Sequence, residues 1–482
     1  MKSFAIVAVT LALSVTPAIT QQPVVEQASE LEIEGKFREA AGALRAAIDR
    51  ATDAESNSLL FELDRLRRIR LDYSLTKEEL RAQLQKCVQG LTTEEFSGWI
   101  QKDWFDGRVI DDTLRFVEVS ASNLFMRHQE LEPRRRPLKD QSELERRTLR
   151  TADSIQAAVV RQSTHLVLPK RFRMVMTLTV DADAVPDGAV IRAWLPVPRR
   201  LPYQQGFTIV RSSSPVLQLA PDTSAIRSAY LEQKATKGKK TVFRVEYHCT
   251  MYAVWHPLDP ARVQRSPPGD PELLPYLREG PHVVFTERMR ALSDSIVRDE
   301  TNPMLTAKKI HDWISENILY SYAREYSTIR NISDYCLTKR YGDCGQHALL
   351  FITLCRLNGI PARWQSGWYT FPGAKTIHDW TEIYLAPYGW IPVDPDMGIF
   401  AMRYYTGLPL TERRRLRDFY FGGLEQYRMT ANSDHCQTLD PPKRTLRSDT
   451  VDFQRGEVEW EGGNIYFDRY SNSLRLEEID PM

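Results

Sequence analysis

The hydrophobic period of the chain changes twice along its length, and no single regular architecture accommodates both changes. From Glu26 to Leu131 apolar residues recur every three or four positions. In ELEIEGKFREAAGALRAAIDRA, the residues Ile33, Phe37, Ala40, Ala41, Leu44 and Ile48 fall on one helical stripe. The GKFREA turn between two small-residue helices resembles one tetratricopeptide unit, but no second copy follows at a solenoid period, so a lone helical hairpin is expected. Thr92, with Glu95 three residues on and apolar Phe96 and Trp99 behind it, signals a capped helix start. The pattern then switches to period two. Phe243, Val245, Tyr247 and Cys249 alternate with Arg244, Glu246 and His248, and Arg171–Val180 and Ala189–Leu195 are rich in β-formers. From Pro271 the helical period returns. At 482 residues the chain exceeds one ordinary domain. The expected fold class is therefore α+β and multi-domain: a helical region over 21–165, a β-sandwich over 166–265, and a mixed domain over 266–482 with a C-terminal β extension.

Charge narrows the choice of partners. With 64 basic and 63 acidic residues the net charge is +1, so no large field favours nucleic acid or an anionic membrane. The one sharp basic run, Arg134-Arg135-Arg136, sits between Pro133 and Pro137 and reads as a solvated linker. The N-terminal MKSFAIVAVTLALSVTPAITQQ has one Lys, a short apolar stretch and then small residues. That is the pattern of a signal peptide over residues 1–20, and it implies a secreted or periplasmic protein. No later segment is apolar enough to cross a bilayer, so no integral membrane segment is expected after cleavage. Six cysteines are too few for a disulfide framework of a chain this long, and their pairing cannot be read from spacing. Cys249, on the apolar side of its strand, is expected to be a buried structural thiol.

Two cysteines share the stretch YGDCGQHALLFITLCRLNGIPARW. The residues from Cys344 to Leu357 are helix formers, and Asn358-Gly359 with Pro361 supplies a stop. Cys344 thus opens a helix, and Cys355 lies three turns inside it. A helix N-terminus presents unpaired N–H groups and the positive end of the macrodipole, which favour a thiolate and can hold an oxyanion. Cys355 has neither advantage and reads as core. A thiol nucleophile needs a base and an orienting group. Downstream, TIHDWTEIYLAPYGWIPVDPDMG reads as strands Ile377–Leu385 and Trp390–Val393, joined at Ala386-Pro387-Tyr388-Gly389. His378 lies on the first strand and Asp394 ends the second, where antiparallel pairing can bring them together. Trp380 shares a strand face with His378. The tripeptide His311-Asp312-Trp313 repeats His378-Asp379-Trp380 in a helical context, where His311 is expected at the surface and Trp313 in the core. His347 follows Cys344 by three, but no further Cys or His pair completes a zinc site. Neither metal nor cofactor is expected.

The segments RYGDCGQHALLFITLCRLNGIPARWQSGW, IHDWTEIYL and GWIPVDP resemble the transglutaminase-like superfamily of bacterial secreted proteins, which has a papain-like fold and a Cys-His-Asp triad. The resemblance implies a core at 300–405 in which Cys344 is the nucleophile, His378 the base and Asp394 the orienting residue. It also implies attack on a peptide or side-chain amide through a thioester acyl-enzyme. Hydrolysis, as in a peptidase or amidase, is the expected outcome. The alternatives are acyl transfer from protein glutamine to an amine, giving cross-links, and a non-catalytic module that binds peptide or glycan. The expected partner is a protein or peptide substrate, and the N-terminal helices offer a surface for a protein partner.

Overall fold

The computed structural model describes residues 22–137, 140–267 and 269–479, so the signal-peptide reading lies outside the described residues. Helices and strands are mixed in an α+β architecture. The chain divides into two compact units, one reaching to Gln85 together with Leu91–Ser120, the other formed by Lys86–Gly90 and Ala121–Met482.

The first unit contains the expected hairpin, Gln22–Ile33 and Phe37–Ile48, packed with Asp53–Asp72 through Phe37, Ala40, Leu44, Leu66 and Ile69. Ile33, expected on the buried stripe, is 80% exposed, because it is the last residue of its helix. The Thr92 hydroxyl caps Thr93–Gln101 by accepting the Glu95 N–H at 3.1 Å, and Phe96 and Trp99 are buried beneath it. The region also holds an antiparallel hairpin, Gly107–Ile110 with Thr113–Phe116. Its turn residues, Asp111 and Asp112, both take positive φ, without the glycine that normally announces such a turn.

In the second unit two five-stranded sheets face each other. One contains Leu166–Val180, Gln204–Ser212 and Thr241–Trp255, and the other contains Val190–Pro196, Gln218–Leu219 and Ser228–Lys234. Met176, Leu178, Val245, Tyr247 and Cys249 pack against Ile191, Ala193 and Leu195 between them. Strands far along the chain complete both sheets: Tyr470–Ile479 pairs along Leu166–Val180, and Glu457–Trp460 along Val190–Pro196. The arginine run is only partly solvated: Arg136 is exposed, while Arg134 and Arg135 are half-buried. Arg134 Nε donates to Gln89 O at 3.0 Å, and Arg135 bonds Glu132 at 2.6 Å while lying 4.5 Å from the Phe125 ring.

The remaining layer is a four-stranded antiparallel sheet in the order Gly389–Val393, Thr376–Leu385, Ala362–Tyr369, Arg428–Asn432. The helix Cys344–Leu357 lies against it, and Leu349, Leu354, Cys355, Trp364, Ile383 and Ile391 form part of the shared core. The helix Ser142–Gln162 packs elsewhere in the same unit, with Leu149, Ala152 and Ile155 against Ala401, Tyr405 and Leu416. Among the described residues no helix is long and apolar enough to cross a membrane.

Candidate active site

Cys344 is the first residue of its helix. Asp343 is the N-cap: its Oδ1 accepts the Gln346 N–H at 3.2 Å, and Gln346 Oε1 accepts the Asp343 N–H at 3.3 Å. Such a box stabilises a helix start by about 1 kcal/mol and fixes the direction in which the first side chain leaves. Cys344 is 9% exposed, whereas Cys355 is fully buried. Gly345 allows the helix to begin hard against its neighbours, since a Cβ there would lie 2.2 Å from the Tyr326 hydroxyl and 2.8 Å from Asp379 Oδ2. All six cysteines are free thiols.

The two strands do bring His378 to Asp394. Thr381 pairs with Val393, so Asp394 leaves the strand end beside His378, and His378 Nε2 lies 2.8 Å from Asp394 Oδ2. Asp394 uses both oxygens. Oδ1 caps the short helix Pro395–Ile399 through the Met397 N–H at 2.9 Å, and Oδ2 also accepts from Arg428 Nη1 at 2.6 Å. Burial alone would raise Asp394, but His378 and Arg428 outweigh it and hold the carboxyl well below the ordinary carboxylate range. An ionised Asp394 has no proton to give, so Nε2 of His378 is the donor. In the neutral imidazole the free lone pair is therefore on Nδ1. Trp380 stacks on the ring at 6.1 Å between centroids, with planes 20° apart.

The surroundings of the thiol differ from the sequence expectation. The helix terminus was expected to favour thiolate, yet burial, together with Asp379, Asp343 and Asp396, pushes the Cys344 thiol well above its ordinary value. Its Sγ lies 3.5 Å from Asp379 Oδ2. Burial and Asp343 in turn push Asp379 well up, while Gln454 Nε2 anchors its Oδ1 at 2.6 Å. Burial pushes Asp343 up to about 6 despite the Tyr326 hydroxyl that donates to it at 2.6 Å. Burial, with the acidic neighbours adding to it, outweighs a terminus worth at most about 2 kcal/mol.

Cys344 and His378 open into one cavity of about 130 Å³, walled by Tyr320, Tyr369, Phe400 and Tyr405. Asp396 faces the same space. His347 Nδ1 lies 2.8 Å from its Oδ1, and His378 Nδ1 lies 3.8 Å from its Oδ2. The sequence reading passed over Asp379, Asp396 and Arg428. The first two adjoin residues it did single out, in His378-Asp379 and Asp394-Pro395-Asp396. Arg428 had no such signal, since an arginine on a strand ordinarily reads as surface.

The duplicated tripeptide also differs from expectation. His311 is fully buried, not at the surface, while Trp313 is only half-buried. The helix Pro303–Asn317 turns Ala307, Ile310, His311 and Ile314 inward. Burial lowers the His311 pKa, and its ring packs 5.7 Å from Phe421. It supports the helix after Asp394: a Cβ on Gly398 would sit 2.9 Å from His311 Nε2 and 2.4 Å from Ser315 Oγ.

The chain is 29% identical over 139 residues to the uncharacterized protein YebA of Bacillus subtilis, a match spanning 25% of this chain and 19% of that protein. It is 24% identical over 264 residues to an uncharacterized protein of Haemophilus influenzae, covering 45% of this chain and 67% of the other. Among solved structures, a cysteine-protease candidate from Cytophaga hutchinsonii aligns at 17% identity and a TM-score of 0.42, over 66% of this chain and 93% of the other. The periplasmic domain of TgpA from Pseudomonas aeruginosa aligns at 16% identity and a TM-score of 0.26, over 54% and 95%. The family description "transglutaminase-like superfamily" matches residues 290–395, the segment that carries Cys344, His378 and Asp394. Residues 290–395 are therefore a transglutaminase-like core within a longer chain.

Proposed function

We propose that the chain is a cysteine enzyme that attacks peptide or side-chain amides, with Cys344 as nucleophile, His378 as base and Asp394 as orienting group. The observation that carries this reading is the opening of Cys344 and His378 into one cavity while Asp394 holds Nε2 of that histidine. Nδ1 is then free to take the thiol proton as Sγ attacks the carbonyl carbon. The raised thiol favours this coupled transfer over a preformed thiolate. The Cys344 N–H, at the first helical position, has no partner within the helix and can receive the developing oxyanion. The Nδ1 proton passes to the leaving amine, and a thioester remains on Sγ. In hydrolysis water attacks the thioester, His378 takes a proton from it and returns one to sulfur, and a carboxylic acid leaves.

Hydrolysis is the reading put forward, with capture by an amine as the other outcome. Peptide-library mass spectrometry of parent and Cys344→Ala separates them. New termini or deamidated glutamines mean hydrolysis, and linked peptides mean transfer. Products that persist in Cys344→Ala sink the enzyme reading. We place the protein outside the cytoplasm, on the leader pattern of residues 1–20. Intact mass from the native cell with Met1 retained would contradict this. The helices of the first unit are proposed as a partner surface, tested by pull-down with the full chain and with charge-reversed variants of their exposed residues; a partner retained by every variant would contradict it.

A further inference from the structure

Charge in the wall of the cavity bears on what can sit beside the sulfur. Among the described residues, those lining it include one carboxylate, Asp396, and no lysine or arginine. Asp396 is 3% exposed, and it is bound through Oδ1 by His347 at 2.8 Å. Its Oδ2 is directed toward His378, 3.8 Å from Nδ1, where the proposed reaction takes place. The buried guanidinium of Arg428 does not offset this charge in the cavity, which it does not line. It is bonded to Asp394 and Glu425 and lies behind the Tyr369 ring, 4.6 Å from its centroid. Asp379, 3.5 Å from Sγ, does not line the cavity, and burial and Asp343 push its carboxyl well up, so it adds no cation and the negative charge rests on Asp396.

We propose that Asp396 makes the site select for a cationic group next to the scissile amide and against a carboxylate there. The inference rests on Cys344 being the reactive thiol of the proposed function. The substrate is then an amide flanked by a lysine, an arginine or a free amino terminus, and not one next to a carboxyl terminus or an acidic side chain. A carboxylate entering the cavity would meet Asp396 with no lysine or arginine to pair with. An ammonium would find an acceptor already fixed by His347, so little further ordering is needed on binding.

The test needs no known substrate. Methanethiosulfonates carrying methyl, aminoethyl or sulfonatoethyl groups are reacted with the full chain. Modification at Cys344 is followed by peptide mapping, and each rate is divided by that of the same reagent with free cysteine. The cationic reagent should outpace the anionic one by about tenfold or more. In Asp396→Asn, checked for fold by its melting curve, the ratio should drop below about threefold. Equal rates for cation and anion in the parent chain, with ready reaction of the neutral reagent, overturn the inference and leave the nucleophile standing. An undiminished ratio in Asp396→Asn assigns the preference to another group and also overturns it. If the variant does not fold, Asp396→Ser replaces it and the parent ratio still decides. Failure of the neutral reagent at Cys344, even at a pH where free cysteine is fully ionised, contradicts the access to the sulfur on which the inference rests.

Discussion

Arg428 Nη1 lies 2.6 Å from Asp394 Oδ2, the same oxygen that receives His378 Nε2. Both residues are almost fully buried, at 2% and 0% exposure. The guanidinium continues to Glu425, with Nε to Oε2 at 2.8 Å, and Tyr420 donates to Glu425 Oε1 at 3.1 Å. The His-Asp pair is therefore one end of a buried charged chain. It keeps Asp394 ionised and Nδ1 of His378 open toward the cavity.

Removal of that arginine should be expensive. Arg428→Met leaves Asp394 and Glu425 buried with one cation fewer, and we expect a loss of about 3–5 kcal/mol in urea unfolding. Adding Glu425→Gln should recover part of it. A loss under about 1 kcal/mol would mean that the arginine does not compensate these charges.

Asp343 gives a pH signature. Its carboxyl is raised to about 6 in the folded chain, against about 3.9 unfolded, so the folded state holds the proton more tightly. That contribution to stability is full below the unfolded value and is lost as pH rises through the folded one. Asp343→Asn cannot ionise and keeps the cap oxygen. Its stability relative to the parent should therefore grow by about 3 kcal/mol between roughly pH 4 and pH 6 and then level off. Denaturant curves across that range check it, and a flat difference would be the contrary result.

His311→Ala should lower stability by about 1–3 kcal/mol, because a buried ring leaves a void beneath the helix Pro395–Ile399. Turnover per folded molecule should fall no more than about threefold, since the ring does not line the cavity. Activity lost without loss of fold would point to this histidine as the base in place of His378.

What could be read from the sequence was what depends on local pattern. The helix Cys344–Leu357 has both ends where Gly-Asp-Cys and Asn-Gly place them, and the strands of His378 and Asp394 run within a residue of expectation. What could not be read depends on residues distant in sequence. Strands 457–479 return to close the sandwich, and Arg428 reaches Asp394 across 34 positions. The same limit explains the thiol. A helix terminus is visible from Asp343 and Cys344 alone, but the placement of Asp379 against Sγ requires the sheet to fold onto the helix. His311 is expected at the surface from its helical context alone, whereas Ile310 and Ile314 set the inward stripe that includes it.

His378→Ala and Cys344→Ala should each reduce amide turnover by on the order of 10⁴-fold or more, and the double variant should lose little beyond either one. Additive losses would mean that the two side chains act in separate steps.

The central claim is that Cys344 carries the acyl group. The direct measurement is rapid-quench peptide mapping after mixing the full chain with p-nitrophenyl acetate. The account predicts one hydroxylamine-labile acetyl thioester at Cys344 that forms and turns over in the parent, forms far more slowly in His378→Ala and is absent in Cys344→Ala. An acetyl group that turns over on any other residue, or ester turnover retained in Cys344→Ala, would contradict it.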